Sequence, residues 1–237
     1  GYVAAVYMRG IRAAFVPTTI LAMVDAAIGG KNGIDVGVYK NLVGTIRQPE
    51  FLLYDYSFLK KLPQDQWVNG FAEIIKHSCI KDAAMFRELE RNKLSHFQKN
   101  KTALSALIRK NASIKSAVVR KDEFETGERR LLNFGHTLGH AIENMYVLGH
   151  GEAISIGMAA ACRISEKLVR FKDTAAVIKV LNQYGLPTEL AFDKQQALNI
   201  LKMDKKRERT TMNYVLLEKI GKGVVKQLPV TELEQLI

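Results

Sequence analysis

Apolar and polar positions change rhythm about a quarter of the way along the chain. Residues 1–9 read as the end of a helix. Arg12–Val16 reads as a short buried strand that Pro17 stops, with Thr18 and Thr19 opening a loop or helix start. Three glycines within Gly29–Gly33 mark irregular backbone, and Phe51–Asp55 reads as a second strand. Two short strands do not make a stable sheet alone. From about Tyr56 the spacing becomes helical. Helices are predicted over Asp65–Ile80, Lys101–Lys121, Leu131–Tyr146 and Gly151–Val169, the last very apolar and central. A fifth runs from an Asp173 cap to Tyr184, with Gly185 and Pro187 as stop signals, and a sixth starts at Asp193. Asn213–Glu218 and Gly223–Leu228 predict a hairpin around Gly221-Lys222-Gly223. Thr231 and Glu234 have capping-box spacing for a last short helix. The expected fold is mainly α, a helical domain behind the tail of an α/β domain, with the boundary within residues 55–65.

Composition narrows the class. The 237 residues are 47% hydrophobic and 25% charged, which excludes disorder as the main state. Charges break every apolar run before it reaches membrane-spanning length. No signal-peptide pattern opens the chain, and two cysteines, Cys79 and Cys162, make no disulfide framework. Both lie in apolar helical patterns and read as buried thiols, which points to the cytoplasm. The absent initiator Met and the apolar start, Gly1–Tyr7, lead us to expect a fragment of a longer protein. A net charge of +11 calls for anionic partners. The basic run Lys202–Arg209 contains acids and no aromatics, so it reads as a solvated helix end and not as a nucleic-acid surface.

Candidate chemistry concentrates in the histidines. Of the five, His136, His140 and His150 fall in glycine-framed segments close together, whereas His77 and His96 stand apart. His136 and His140 project from one helix face, and His150 lies in a turn able to fold back on it. Imidazoles so spaced suit a borderline metal ion, although single histidines also satisfy core hydrogen bonds. A catalytic site would add a carboxylate, from Glu73, Glu143 or Glu152. Glu73 is embedded among apolar residues, where a metal or a salt bridge to Lys76 would offset its charge. Glu143 and Glu152 read equally well as helix-surface charges. Gly29-Gly30-Lys31 resembles an anion cradle, or an ordinary turn. Arg129 and Asn133 are expected to stack one turn apart on the helix leading to His136, while Lys115 reads as an amphipathic lysine.

Taken together, five segments in order resemble the 3-dehydroquinate synthase family. They are VPTTILAMVDAAIGGK (16–31), KNLVG (40–44), AEIIK (72–76), NFGHTLGH (133–140) and HGE (150–152). The resemblance spans the chain and implies a helical metal- and substrate-binding domain (59–237) behind the remnant of an NAD-binding α/β domain (1–58). It implies Glu73, His136 and His150 as zinc ligands, with cobalt as an alternative ion. His140, Glu125 and Lys31 are implied as catalytic groups. Arg9, Asp25, Lys31, Asn41, Lys76, Lys115, Arg129, Asn133 and Lys205 (or Lys206) are implied as substrate contacts. Thr18, Thr19, Lys40 and Phe58, Leu59, Lys60 and Lys61 match retained cofactor positions. Arg9 resembles an arginine that reaches a neighbouring subunit, implying a homodimer.

The implied reaction is that of a lyase in aromatic amino acid biosynthesis. It converts 3-deoxy-D-arabino-heptulosonate 7-phosphate to 3-dehydroquinate and phosphate. Other sugar-phosphate cyclases, of the deoxy-inosose or valiolone type, and a metal-dependent polyol dehydrogenase are the alternatives. A carboxylate-bearing substrate calls for the extra recognition that Lys115, Arg129, Asn133 and His140 supply. With most of the dinucleotide-binding part missing, the chain alone is expected to be inactive. No nucleic acid or membrane partner is expected.

Overall fold

The computed structural model describes residues 1–37, 39–204 and 211–237. A short helix α1 (Tyr2–Val6) opens the chain. A single parallel bridge, Phe15 to Leu52, is all that forms of the two expected strands. The glycine-rich segment holds a surprise. Gly29 and Gly30 do adopt positive φ, but Lys31–Val36 is strand β1, paired antiparallel with β2 (Tyr39–Ile46), where a loop was expected. Between the two regions, Ala22–Ala26 forms a π-helical turn whose N-terminal side is capped by the Thr19 hydroxyl, which accepts from the Ala22 N–H at 3.1 Å.

The rest is built around α2 (Gln64–Lys81). Its residues from Gly70 to Ile80 are buried on every face, as befits a central helix. Against it pack α3 (Ala83–Arg91), α5 (Lys101–Lys121), α7 (His150–Val169) and α8 (Thr174–Gln183); α4 (Leu94–Lys99) packs on α5, α6 (His136–Met145) on α7 and α9 (Lys194–Asp204) on α6, and α10 (Val230–Leu236) ends the chain. Phe71 stacks on Tyr184 with ring centroids 5.1 Å apart, and the Tyr184 hydroxyl donates to the Leu89 carbonyl at 3.1 Å. The predicted hairpin forms as β3 (Thr211–Lys219) and β4 (Lys222–Pro229), in register at Val215 and Val225. It is tied to α2 by the Gly221 N–H, which donates to the Cys79 carbonyl at 2.7 Å. Cys79 and Cys162 are both buried thiols, as expected.

Several boundaries differ from the sequence reading. The expected helix Leu131–Tyr146 is two elements: a 3-10 helix, Glu128–Asn133, then α6, separated by Gly135 at φ 79°. Arg129 and Asn133 therefore do not continue the α6 face. His150 is the first residue of α7 and not part of a turn. Asp173 precedes α8 without a side-chain cap bond, and Pro229 occupies the cap position of α10, so the Thr231–Glu234 capping box does not form. Asp193 does cap α9, accepting from the Gln196 N–H at 3.0 Å.

A candidate metal centre in a cationic cleft

Three helices meet at one point. Glu73 comes from the middle of α2, His136 from the first position of α6 and His150 from the first position of α7. Each is placed by local chemistry. The positive φ of Gly135 turns the chain into α6, and the His136 Nδ1 lies 3.2 Å from the Phe134 carbonyl, which leaves Nε2 directed at Glu73. At the start of α7, the Glu152 carboxylate accepts from the Gly149 N–H at 2.8 Å, and the Asn69 side chain accepts from the Gly151 N–H. So Glu152 is a cap and not a ligand. His150 Nε2 then lies 3.2 Å, and His136 Nε2 3.5 Å, from the same Glu73 oxygen.

One donor atom from each of the three residues lies within 4.8 Å of the others. The Glu73 carboxylate is fully buried and its Oε2 has no hydrogen-bond partner, although Lys76 pairs with it electrostatically. A carboxylate and two imidazoles converging in this way fit a borderline divalent ion, with room for a further ligand from the cleft. Burial would push the Glu73 carboxyl up, but the Lys76 ammonium outweighs it and holds it far down. Burial, reinforced by Lys76, keeps His136 well below its usual value and hence neutral, as a ligand must be. His150 behaves oppositely and would have to give up its proton to hold an ion. Burial is outweighed by its contacts with Glu143 and Glu73, which raise it to about 9.

A cleft of about 720 Å³ opens beside this cluster. Asp25, Lys31, Asn41, Lys76, Lys115, Glu125, Arg129, Asn133 and His140 line it together with His136 and His150. Thus nearly all the sequence-predicted substrate residues share one surface. Asp25 is its internal counter-charge: its Oδ1 lies 2.8 Å from the Lys115 Nζ and 3.9 Å from the Lys76 Nζ. Burial raises the Asp25 carboxyl, yet Lys115, Lys76 and His77 together hold it well below the usual range. Lys31 pairs with Glu125, to which Asn133 also donates. Burial, Arg129 and Lys115 pull Lys31 down to about 8, against the opposing pull of Asp25. The ring of His140 packs 5.2 Å from that of His136.

Arg129 takes a structural share. It is buried, and its guanidinium donates to the Gly29 carbonyl at 2.8 Å and to the Glu123 carbonyl, clamping the Gly29–Lys31 segment to the loop after α5. That loop is organised by Asp122, whose carboxylate accepts from the N–H groups of Thr126 (2.9 Å), Gly127 (2.7 Å) and Arg129 (2.9 Å). Partial desolvation raises Asp122, but these backbone donors dominate and hold it at about 2. A carboxyl lowered on folding contributes stability above its unfolded value, which is lost as pH falls through about 2. Asp122→Asn at pH 7 is expected to speed amide hydrogen exchange at Thr126, Gly127 and Arg129 by an order of magnitude or so while the helices keep their protection. Unchanged exchange at these three amides would contradict this role.

Other sequence-predicted residues lie elsewhere. Arg9 is exposed and does not line the cleft. Thr18 is exposed and the Thr19 hydroxyl is committed to its cap. In the 3-10 helix Tyr56–Lys61, Phe58, Lys60 and Lys61 are exposed, but the Leu59 side chain is core, leaving only its backbone for a ligand. Lys205, its alternative Lys206 and the Lys40 side chain lie outside the described residues. Sequence reasoning missed the capping carboxylate Asp122; Glu143, one of the three candidate carboxylates, does lie at the site, its Oε2 3.8 Å from His150 Nδ1.

Residues 1–69 match the family model described as 3-dehydroquinate synthase N-terminal, and residues 70–207 match 3-dehydroquinate synthase C-terminal. The chain belongs to the 3-dehydroquinate synthase family. A 3-dehydroquinate synthase of Methylacidiphilum infernorum is 44% identical over 98% of this chain and 63% of its own length. One from Pyrobaculum neutrophilum is 38% identical over 100% of this chain and 71% of its own length. The chain thus spans roughly two thirds of these curated relatives. Among solved structures, the 2-epi-5-epi-valiolone synthase ValA of Streptomyces hygroscopicus subsp. jinggangensis, with NAD+ and Zn2+ bound, superposes with a TM-score of 0.88 at 27% identity, covering 100% of this chain and 68% of that one. A 2-deoxy-scyllo-inosose synthase complexed with carbaglucose-6-phosphate, NAD+ and Co2+ gives a TM-score of 0.85 at 27% identity, covering 98% and 68%. As a member of the 3-dehydroquinate synthase family, the chain has the expected helical C-terminal fold. No helix among its described residues is long and apolar enough to cross a membrane.

Proposed function

We propose that this chain carries the metal- and substrate-binding part of a 3-dehydroquinate synthase, a lyase that turns 3-deoxy-D-arabino-heptulosonate 7-phosphate into 3-dehydroquinate and phosphate. One observation carries the reading: the Glu73, His136 and His150 cluster opens into a cleft whose free edge is cationic. A substrate bearing both phosphate and carboxylate needs that combination. When bound, a zinc or cobalt ion at the three side chains supplies Lewis-acid polarisation, and NAD supplies reversible hydride exchange.

The chain's own residues do the rest. Glu73, His136 and His150 would hold the ion. Lys31, Lys76 and Lys115 attract and orient the two anionic groups, with Asp25 fixing Lys76 and Lys115 between them. Glu125, which accepts from Lys31 and Asn133, and His140 would accept or return protons at substrate oxygens. Arg129 supports Lys31 by holding Gly29. Thr18, Thr19, Lys40 and the 58–61 stretch would meet the dinucleotide from the remnant (1–58) of its domain, ahead of the helical domain (59–237). Arg9 would reach a second copy in a homodimer. The setting is cytoplasmic, and the chain alone would not turn over. The likeness to valiolone and inosose synthases favours a related sugar-phosphate cyclase as the second reading.

Calorimetry on the zinc-loaded chain separates the two. The seven-carbon sugar-acid phosphate should bind at least about tenfold more tightly than sedoheptulose 7-phosphate, which lacks the carboxylate. Equal affinities would favour the second reading. Affinity should also fall as pH rises through about 8, because Lys31 then loses its proton and its charge. A flat profile from pH 7 to about 9 would remove Lys31 from anion binding.

A further inference from the structure

Glu125 is held in a strained backbone. Its φ is 61°, in the left-handed region, where a glutamate, unlike an asparagine, has no short side chain to bond locally. Strain of this kind persists only where the surroundings over-determine it. Here the peptide group that follows Glu125 is gripped at both ends. Its N–H, that of Thr126, donates to the Asp122 Oδ1 at 2.9 Å, and its carbonyl accepts from the Arg130 Nε at 3.2 Å. Arg130 belongs to the 3-10 helix Glu128–Asn133, in which residues three apart eclipse one another. Asn133, three residues on, donates to the Glu125 carboxylate. One short helix thus holds Glu125 twice, by its backbone through Arg130 and by its side chain through Asn133.

We infer that Arg130 is a positioning residue for Glu125, fixing the left-handed turn that aims its carboxylate at Lys31 and Asn133. Arg130 does not line the cleft. It borders a smaller cavity of about 420 Å³ beside it, shared with Glu125, Asn133, His136 and His140. It therefore acts through Glu125 and not on a ligand in the cleft. With the carbonyl grip removed, the peptide plane is held by Asp122 alone and can rotate, and φ relaxes to a negative value that suits a glutamate. The carboxylate then leaves the Lys31 ammonium and the Asn133 amide. The neighbouring Arg129 does not substitute, because its guanidinium is spent on the Gly29 and Glu123 carbonyls. The consequence for substrate rests on the proposed function, in which Glu125 exchanges protons at substrate oxygens and Lys31 attracts the anionic groups.

Two substitutions separate the hydrogen bond from the charge. Arg130→Gln keeps an N–H donor where Nε stood and loses the guanidinium; Arg130→Met puts a methyl group at the same reach from the backbone. In the first arm, NMR of the isotope-labelled chain reads two signals. One is the intraresidue HN–Hα NOE of Glu125, which is strong for a left-handed residue. The other is the side-chain amide of Asn133, assigned by its loss in Asn133→Ala. Arg130→Met should weaken the NOE severalfold and shift the Asn133 amide, and Arg130→Gln should leave both as in the wild type. The Thr126 and Gly127 amides, held by Asp122, should keep their exchange protection in both variants. A left-handed Glu125 in Arg130→Met, the same losses in Arg130→Gln, or lost protection at Thr126 and Gly127 would overturn the inference. The second arm measures affinity of the zinc-loaded chain for the sugar-acid phosphate by calorimetry. Arg130→Met should weaken binding about fivefold, and Arg130→Gln less than about twofold. In a Glu125→Ala background, Arg130→Met should have no further effect; full additivity would mean that Arg130 meets the ligand itself and would overturn the inference. Failure of the unsubstituted chain to bind this ligand would sink the functional reading alone, and the NOE and the Asn133 amide would still decide the role of Arg130.

Discussion

Glu73→Gln should lower the Tm of the metal-free chain by roughly 6–20 °C. The carboxylate is fully buried and paired with Lys76, which is itself buried, so the substitution strands an ammonium group in the interior. Removing one partner of a buried pair costs about 3–5 kcal/mol, and a chain of this size loses about 2–4 °C per kcal/mol. Asp25, 3.9 Å from the Lys76 Nζ and already engaged by Lys115, offsets only part of the loss. The companion variant, Glu73→Gln with Lys76→Met, removes both charges and should recover much of the stability without restoring a metal site. A single variant as stable as the wild type would show that the Glu73–Lys76 pair contributes little.

Gly157→Val should be the most damaging small substitution outside the cluster. A side chain at Gly157 on α7 would collide with the carbonyl oxygen of Gly135 and lie 2.9 Å from the Gly139 amide nitrogen. Those atoms belong to the turn into α6 and to its first helical turns, so backbone must move. Overpacking against backbone costs about 3 kcal/mol at the upper end of the usual range, or roughly 6–12 °C in Tm. Because α6 carries His136 and α7 carries His150, separating these helices should also open the donor cluster. The expected signature is a Tm drop together with zinc affinity weakened by at least about tenfold. A Tm drop with zinc affinity intact would mean that the α6–α7 contact does not set the spacing of the two histidines.

Legibility in the sequence followed the range of the interactions concerned. α5 was read with its observed limits, Lys101–Lys121, because its apolar spacing is local and Asn100 caps it, accepting from the Ala103 N–H at 3.0 Å. The β3–β4 hairpin was legible for the same reason. The β1–β2 hairpin was not, since Lys31-Asn32-Gly33 carries glycine-loop chemistry and its pairing with Gly44–Ile46 is a longer-range matter. The break at Gly135 was hidden because the apolar pattern runs through it, whereas the close approach of Met158 and Ile154 dictates the turn. In the site, residue types narrowed the candidates to His136, His140 and His150 with Glu73, Glu143 or Glu152, and the family resemblance chose Glu73, His136 and His150 among them. Neither could show that Arg129 serves backbone carbonyls, or that Asp122 organises the 122–129 loop. Those roles depend on contacts within that loop and between it and the distant Gly29–Lys31 segment.

The central claim is that three side chains from α2, α6 and α7 form one metal site. Elemental analysis after dialysis, on this chain and on His150→Ala, tests it most directly. The account predicts about one zinc per chain in the first and close to none in the second. Zinc retained at the same level in His150→Ala, or absent from both proteins, would contradict it.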